Sequence, residues 1–267
     1  MPTARYALGI EYDGSAFNGW QSQPDGRTVQ DVLEAALSVV AATEVRVHCA
    51  GRTDAGVHAL CQVVHFDTEV ARPDSAWVRG VNANLPDSVA VRWAQAVNED
   101  FHARFAATGR RYRYVLLNRP QRPALWTHYA GWHHLPLDVD AMKKAAQHFV
   151  GEHDFSAFRA AECQAKSPIK TLYRADVQRH GDWVVFDFHA NAFLHHMVRN
   201  LVGTLVYVGK GAHDAAWARE VLESRSRMVA APTFSPAGLY FAGVDYDPAF
   251  GLADKIMACG DLPLALI

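Results

Sequence analysis

The sequence predicts an α+β fold built from mixed or antiparallel sheets with helices packed on their outer faces. Segments in which apolar and polar residues alternate, as they do in half-buried strands, occur in both halves of the chain. Amphipathic helical segments lie among them, but strands and helices follow in mixed order, and neighbouring strands are mostly spaced as in hairpins. This order favours α+β over a doubly wound parallel sheet.

The first half begins with a strand and a capped helix. Residues 5–12 (RYALGIEY) alternate, and the polar segment that follows ends at Thr28, which can cap a helix with Asp31 as its capping-box partner. Apolar residues then recur at helical spacing over 29–40. The other elements predicted here are strands at 44–50, 61–68, 89–97 and 110–118 and a helix at 74–86 that Pro86 stops.

The second half contains a hairpin and a long helix. Residues 171–191 predict the hairpin, with its turn at 180–182, and residues 192–209 predict the helix. Further elements are helices at 138–151 and 213–226 and a last strand at 238–246. We place the boundary near Pro136, which gives an N-terminal half, 1–136, and a C-terminal half, 137–267. Each half contains both strands and helices, as expected if the two halves arose by a distant duplication.

Composition narrows the class of protein. The chain has 267 residues, half of them hydrophobic and a fifth charged, which suffices for a sizeable core. No apolar run approaches the roughly 20 residues needed to span a bilayer, and the start resembles no signal peptide. The four cysteines are scattered without a CxxC pair, which fits a reducing cytoplasm. Because HExxH, P-loop and GxGxxG motifs are also missing from the sequence, we expect no metal and no cofactor.

One segment combines arginines with aromatic residues. The formal net charge is −2, yet residues 101–137 contain no Asp or Glu. The segment holds Arg104, Arg110, Arg111, Arg113, Arg119 and Arg122, interleaved with Phe101, Phe105, Tyr112, Tyr114, Trp126, Tyr129 and Trp132. This pattern suits an RNA backbone and splayed bases. A solvated basic strand edge, which keeps sheets from aggregating, explains it equally well.

The stretch GRTDAGVHA (51–59) contains the best candidate for a reactive group. Asp54 lies between two glycines that allow a tight bend and the close approach of a ligand, with Arg52 two residues before it. A carboxylate fixed on such a bend, beside a group that controls its pKa, is suited to chemistry. Asp is also common in ordinary turns, so the stretch alone does not decide between the two.

The stretch RRYRY (110–114) offers two faces of a strand. Side chains alternate along a strand, so Tyr112 and Tyr114 point one way and Arg111 and Arg113 the other. One face suits stacking on a base and the other suits an anion. Tyrosines at the edge of a core explain the same pattern.

The stretch FLHHMVRN (193–200) lies at the start of the predicted long helix. There His195 and His196 are expected to crowd the same side as Arg199. Lone histidines on helices are usually structural, but a half-buried arginine normally needs an anion. An Asp–Arg pair would hold the carboxylate ionised and fixed in direction.

These stretches, taken in order, resemble the tRNA pseudouridine synthase A family. The resemblance extends over about residues 5 to 247. It is carried by YDGSAFNGWQSQ (12–23), GRTDAGVHA (51–59), NANLPDSVAV (82–91), FHARFAATGRRYRY (101–114), HDFSAFRA (153–160), NAFLHHMVRN (191–200) and GLYFAGVDY (238–246). Together these motifs are specific, and none departs from the family pattern at a presumed functional position.

The resemblance implies a role for individual residues. Asp54 is the essential catalytic carboxylate and Arg199 pairs with it. Arg52 helps to extrude the target nucleotide, while Tyr112 stacks on the uracil and acts as the base at its C5. Leu239 forms part of the apolar floor under the base. Arg110 and Arg111 belong to the substrate-binding strip.

The resemblance also implies the architecture and the reaction. Two similar halves surround a central, sheet-lined basic cleft, and a homodimer holds one tRNA across both subunits. The reaction isomerises uridine to pseudouridine at positions 38, 39 and 40 in the anticodon stem-loop, in the cytoplasm and without a cofactor or metal.

Two other functions compete on the residues alone. A non-catalytic RNA-binding protein would need only a sheet with exposed Tyr and Arg, although it would leave Asp54 without a role. A hydrolase could use Asp54 as a nucleophile on a different glycoside. Such enzymes place two carboxylates across the scissile bond, and no second acid here has a comparable setting.

Overall fold

The computed structural model describes residues 3–260. These residues form two compact units. The first comprises the chain up to Thr108 together with the chain from Tyr240 onward, and the second comprises Gly109–Leu239. No helix in the described part is long and apolar enough to cross a membrane.

Ten strands and six α-helices make up the two units in residues 3–260. The strands are β1 (Ala4–Tyr12), β2 (His48–Cys49), β3 (His58–Thr68), β4 (Val89–Val97), β5 (Gly109–Asn118), β6 (Gly131–His133), β7 (Gly151–Asp154), β8 (Ile169–His180), β9 (Trp183–Ala190) and β10 (Leu239–Asp245). The helices are α1 (Val29–Ala41), α2 (Asp74–Asn82), α3 (Val139–Gln147), α4 (Met197–Gly209), α5 (Trp217–Ser224) and α6 (Ala253–Met257).

The sheet of the first unit is mixed. Its strands follow the order β4-β1-β3-β10, with β2 paired to β3. β1 runs antiparallel to both β3 and β4, whereas β10 runs parallel to β3. Helix α2 packs on β4 and contacts α1. Buried side chains such as Leu8, Ile10 and Trp77 form the core between these layers, so β1 and β3 are a rigid base for the loops at their ends.

The sheet of the second unit has the order β5-β9-β8-β7, with antiparallel pairs throughout this path. The short strand β6 adds a parallel pair to β5. Gly181, at a positive φ of 59°, allows the tight turn between β8 and β9, as the predicted hairpin requires. Helix α3 packs on β8 and on α4, and Phe186 and Phe188 fill the core beneath.

The α+β class with mixed sheets is confirmed, and so is the cap of α1. Thr28 adopts extended backbone, and its hydroxyl oxygen accepts a hydrogen bond from the Asp31 N–H at 3.3 Å. The Thr28 hydroxyl in turn donates to the Asp31 carboxylate. The bond from the Asp31 N–H to the Thr28 side chain is the N-cap contact that stabilises a helix start.

The strand predicted at 44–50 is much shorter than expected, because only His48 and Cys49 pair with β3. The preceding backbone donors are satisfied by side chains of α1 instead. The Val45 N–H donates to Ser38 Oγ at 3.0 Å, and the Val47 N–H donates to Glu34 Oε1 at 2.9 Å. A ladder to a neighbouring strand is therefore not needed there.

The helix predicted at 192–209 begins later, at Met197. His196 has a positive φ of 61°, a left-handed conformation that a helix interior does not tolerate. His195 and His196 therefore do not share a helix face with Arg199, and the expected crowding on one side of the helix is wrong.

The compact units do not divide at residue 136. Strand β5 precedes that position, yet it pairs with β9 in the second unit, and β10 near the end of the chain pairs with β3 in the first. Halves at 1–136 and 137–267 stay a prediction about the origin of the chain and the parts of its site.

Candidate active site

The loop between β2 and β3 presents Asp54. Gly56 has a positive φ of 75°, and the Val57 N–H donates to the Asp54 carbonyl oxygen at 3.1 Å. These two features close a tight turn directly before β3. Asp54 is half-buried, whereas Arg52 is exposed. The carboxylate thus extends from a closed turn rather than from a mobile loop.

The segment after β1 holds this loop in place. The Trp20 N–H donates to the Thr53 carbonyl oxygen at 3.0 Å, and the Thr53 and Tyr12 hydroxyls share a hydrogen bond of 2.7 Å. Thr53, Tyr12 and Trp20 are all buried, and burial raises the pKa of the Tyr12 phenol far above its usual value. A neutral, buried hydrogen bond directly before Asp54 fixes the direction of its backbone.

A second anchor is Gln62, which lies on β3 and is fully buried. Its side-chain amide donates to the Gly51 carbonyl oxygen and accepts from the Gly51 N–H at 3.3 Å. A Cβ on Gly51 would lie 2.8 Å from the Phe241 ring, so glycine is needed there for close packing. The part of the loop that precedes Asp54 is therefore held by polar contacts at Gly51 and at Thr53.

Gly19 allows the close approach that makes these contacts possible. It has a positive φ of 88°, and an added Cβ would lie 2.7 Å from the Thr53 carbonyl oxygen. We expect Gly19→Ala to push the 53–55 backbone aside and to lower kcat by up to about 100-fold, since misplacing a reacting group by 1 Å has effects of that size.

The matched control is Gly26→Ala. Gly26 also has a positive φ, 64°, but nothing lies within 4 Å of an added Cβ. This variant should lose about 1–2 kcal/mol of stability and keep its kcat. Single-turnover rates and thermal unfolding of both variants distinguish the two effects. Equal kcat values would show that Gly19 does not position the loop.

Tyr112 and Tyr114 lie on one face of β5, as predicted, but in different surroundings. Tyr114 is fully buried, and its hydroxyl donates to the Ser235 carbonyl oxygen at 2.9 Å. Tyr112 is half-buried, and its ring meets the edge of Phe193 at 5.0 Å between centroids. The core interpretation therefore holds for Tyr114, while Tyr112 keeps an accessible face.

Arg199 is fixed on α4 by the segment that passes it. Its Nε donates to the Phe234 carbonyl oxygen at 2.8 Å, and the Phe234 N–H donates to the Arg199 carbonyl oxygen at 3.2 Å. This contact sets the direction of the guanidinium. Leu239, only 5% exposed, begins β10 directly after a short 3₁₀ turn. Asp54 belongs to the first unit and Arg199 to the second, and their pairing stays a prediction.

The arginine segment is not uniform in charge. The Arg113 Nε donates to Asp187 Oδ1 at 2.8 Å, so an acid from β9 compensates this guanidinium. Arg110 donates from Nη1 to the Asn191 carbonyl oxygen at 2.9 Å. Arg104 and Arg122 are exposed. Sequence reasoning missed Asp187 because it is distant along the chain.

Comparison with known proteins agrees with the resemblance. A family profile described as tRNA pseudouridine synthase matches residues 9–106 and 145–247. A relative named tRNA pseudouridine synthase A from Dechloromonas aromatica (strain RCB) is 65% identical over 250 residues, which is 94% of this chain and 95% of the relative. A protein of the same name from Aromatoleum aromaticum (strain DSM 19018 / LMG 30748 / EbN1) is 64% identical over 248 residues, covering 93% and 94%.

Among solved structures, a chain of the Cbf5-Nop10-Gar1 complex matches 88% of this chain and 48% of its own length, with 14% identity. Its TM-score of 0.40 is too low to carry an inference. The family assignment rests on the profile and the relatives, not on this structure. The profile matches most of the chain, and proteins that share about two thirds of its residues match nearly all of it. The chain therefore belongs to the tRNA pseudouridine synthase family.

Proposed function

We propose that this protein isomerises uridine to pseudouridine at positions 38, 39 and 40 of the tRNA anticodon stem-loop, with Asp54 as the catalytic carboxylate. Membership of the family supports the reaction. The observation that carries the assignment to Asp54 is its loop, in which contacts of Gln62 with Gly51 and of Tyr12 with Thr53 hold the segment directly before the carboxylate. A reacting carboxylate needs this kind of fixed direction.

The reaction rearranges bonds within one nucleotide. The N1–C1′ bond breaks, the uracil turns, C5 bonds to C1′, the C5 proton leaves to water, and N1 takes up a proton from water. Nothing is oxidised and no group is gained, so the net change requires no co-reactant. The Asp54 carboxylate can attack C1′, attack C6 or take a proton from C2′, and each of these roles requires it to be ionised.

The remaining residues act on the extruded base and the backbone. The target uridine must leave the stack before reaction, as with other enzymes that act on bases. Arg52, exposed and two residues from Asp54, occupies the vacated space. Tyr112 stacks on the uracil through its accessible face, and its hydroxyl moves the C5 proton. Leu239 supports the base, and Arg199 keeps Asp54 ionised.

The proposal includes the setting of the reaction. The two halves border a central basic cleft, Arg110 and Arg111 contact the RNA backbone, and a homodimer in the cytoplasm holds one tRNA. Recognition of stem shape rather than of bases would allow one enzyme to serve three adjacent uridines.

Affinity for tRNA should fall steeply with salt. We expect four arginines to contact phosphates. The logarithm of the association constant for tRNA should then change with the logarithm of the salt concentration with a slope of about −3. Binding should become about 100-fold weaker between 50 and 200 mM salt. Arg104→Gln should reduce the magnitude of the slope by about one. The control Arg219→Gln removes a guanidinium that pairs with Glu223 at 2.7 Å, and it should leave the slope unchanged. A flat titration would contradict phosphate contacts.

The function is tested by mapping the product. Unmodified tRNA transcripts are incubated with the protein, and pseudouridine is located by carbodiimide labelling and primer extension. Modification at positions 38, 39 and 40 is expected, and none where these are cytidines. Pseudouridine only elsewhere would overturn the positions. Release of free uracil would favour the hydrolase, and unmodified but tightly bound tRNA would favour the non-catalytic RNA-binding protein.

A further inference from the structure

An exposed aromatic ring, to which the proposed function gives no role, adjoins a cation in the first unit. Phe105 is 76% exposed, although it is a large hydrophobic side chain. The Arg104 guanidinium carbon lies 5.7 Å from the centroid of its ring. Single exposed hydrophobic residues are common on protein surfaces, and what distinguishes Phe105 is the guanidinium beside its ring.

Phe105 contacts His102, which in turn contacts two further histidines. The His102 ring lies 4.3 Å from the Phe105 ring, and it also lies 4.5 Å from His65 and 5.2 Å from His48, between centroids. The His102 Nδ1 accepts hydrogen bonds from the backbone N–H groups of Arg104 and Phe105, at 3.2 and 3.3 Å. These contacts fix the turn that carries the exposed ring.

The same turn is tied to the core. The Ala103 N–H donates to His65 Nδ1 at 3.1 Å, and the Tyr246 hydroxyl donates to the Ala103 carbonyl oxygen at 2.7 Å. Phe101 is fully buried, and its carbonyl oxygen accepts from Arg5 Nη1 at 2.9 Å. A ring held in this way loses little conformational freedom when a ligand stacks on it.

The electrostatics favour an anionic ligand with a flat neutral face. Desolvation and then the positive groups around it lower the pKa of His102, and burial lowers the pKa of His65 to about 3. Both rings are therefore neutral at pH 7, and the cation beside the exposed ring is Arg104, since the Asp67 carboxylate balances Arg5 by accepting from its Nε at 2.7 Å. A nucleobase joined to a phosphate satisfies both features, because the base stacks and the phosphate meets the guanidinium.

The strand that contributes His48 leads directly into the loop that carries Asp54. His48 lies on β2, four residues before Arg52, so their Cα atoms are at most about 14 Å apart. Arg52 and Arg104 also act on the same group, because both oppose the burial that raises the pKa of the Cys49 thiol to about 12. A nucleotide bound near Phe105 would therefore lie close, along the RNA, to the uridine that Arg52 displaces.

We propose that Phe105 is a stacking platform for an unpaired base of the substrate RNA, close to the extruded uridine, with Arg104 on the adjoining phosphate. This inference rests on the proposed function, since it takes the anticodon stem-loop as the RNA. It adds a binding site in the first unit that reads a single-stranded nucleotide by its flat face, with no requirement for a particular base.

The test compares Phe105→Leu with Phe105→Trp in the full-length protein. The RNA is an anticodon stem-loop with 2-aminopurine at one loop position at a time. Phe105→Leu should bind about 10-fold more weakly, as expected for the loss of one stacked base, and Phe105→Trp should bind within about twofold of wild type. At one loop position the wild type should quench 2-aminopurine fluorescence and Phe105→Leu should not. KM should rise while kcat changes little.

A matched control is Tyr173→Leu, which removes another exposed ring, 49% exposed, from the second unit. It should leave affinity and quenching unchanged. Equal affinities of Phe105→Leu and wild type would overturn the proposal. So would a shift of Phe105→Leu from dimer to monomer in sedimentation, because the ring would then lie between two copies. If the wild type binds and quenches the RNA but makes no pseudouridine, the proposed function fails and the platform stands.

Discussion

Asp54→Asn is expected to abolish isomerisation, with a loss of about 10³-fold or more in the single-turnover rate, while tRNA affinity stays within about twofold. Asparagine has the shape of aspartate but cannot act as a nucleophile or a base at this site. The contacts that hold the loop run through the Thr53 side chain and the backbone of residues 51–57, so the variant should fold normally.

The measurement pairs a single-turnover rate with a filter-binding affinity on the same tRNA. Asp87→Asn is the control, because Asp87 is an exposed carboxylate in another turn of the first unit. It should match wild type in both quantities. Parallel losses of binding and turnover in Asp54→Asn would indicate that the carboxylate holds the RNA or the loop rather than reacting.

Tyr112→Phe is expected to lower kcat by about 100-fold, the contribution typical of a positioned proton-transfer group, with little change in tRNA affinity. The phenylalanine ring keeps the edge contact with Phe193 and the face that stacks on uracil. Only the hydroxyl, which we propose to move the C5 proton, is lost. The ratio of the kcat effect to the affinity effect is therefore the informative quantity.

Tyr114→Phe is a closely matched control, since it makes the same change on the same face of β5. Its hydroxyl donates to the Ser235 carbonyl oxygen, so its loss should cost about 1 kcal/mol of stability and leave kcat unchanged. Rates and urea midpoints of both variants separate the two roles. Full turnover by Tyr112→Phe would limit that residue to stacking.

Elements whose signals are local could be predicted from the sequence. The cap at Thr28 depends on Asp31 three residues on, and the turn at Gly181 depends on glycine at a positive φ. The predicted strand at 44–50 failed because its donors go to Glu34 and Ser38, partners from a helix earlier in the chain. The predicted start of α4 at residue 192 was wrong, because nothing in the sequence marks His196 as left-handed.

In the candidate site, too, local features could be predicted from the sequence, whereas contacts between distant residues could not. The glycines on either side of Asp54 predict the tight turn there. The contacts that make this turn rigid involve Gly19 and Gln62, and no spacing rule connects these two residues to the turn. The neutralisation of Arg113 by Asp187 was hidden for the same reason. Residue roles came from the resemblance alone, and they stay predictions. The Asp54–Arg199 pair stays a prediction.

The most direct test uses tRNA that carries tritium at uridine C5, because the new C5–C1′ bond must displace that atom. Purified protein is incubated with this tRNA in the presence of a chelator and without any added cofactor. Wild type should release tritium into water, and Asp54→Asn should release none while still binding the tRNA. Folded wild-type protein that binds the tRNA but releases no tritium would contradict the account.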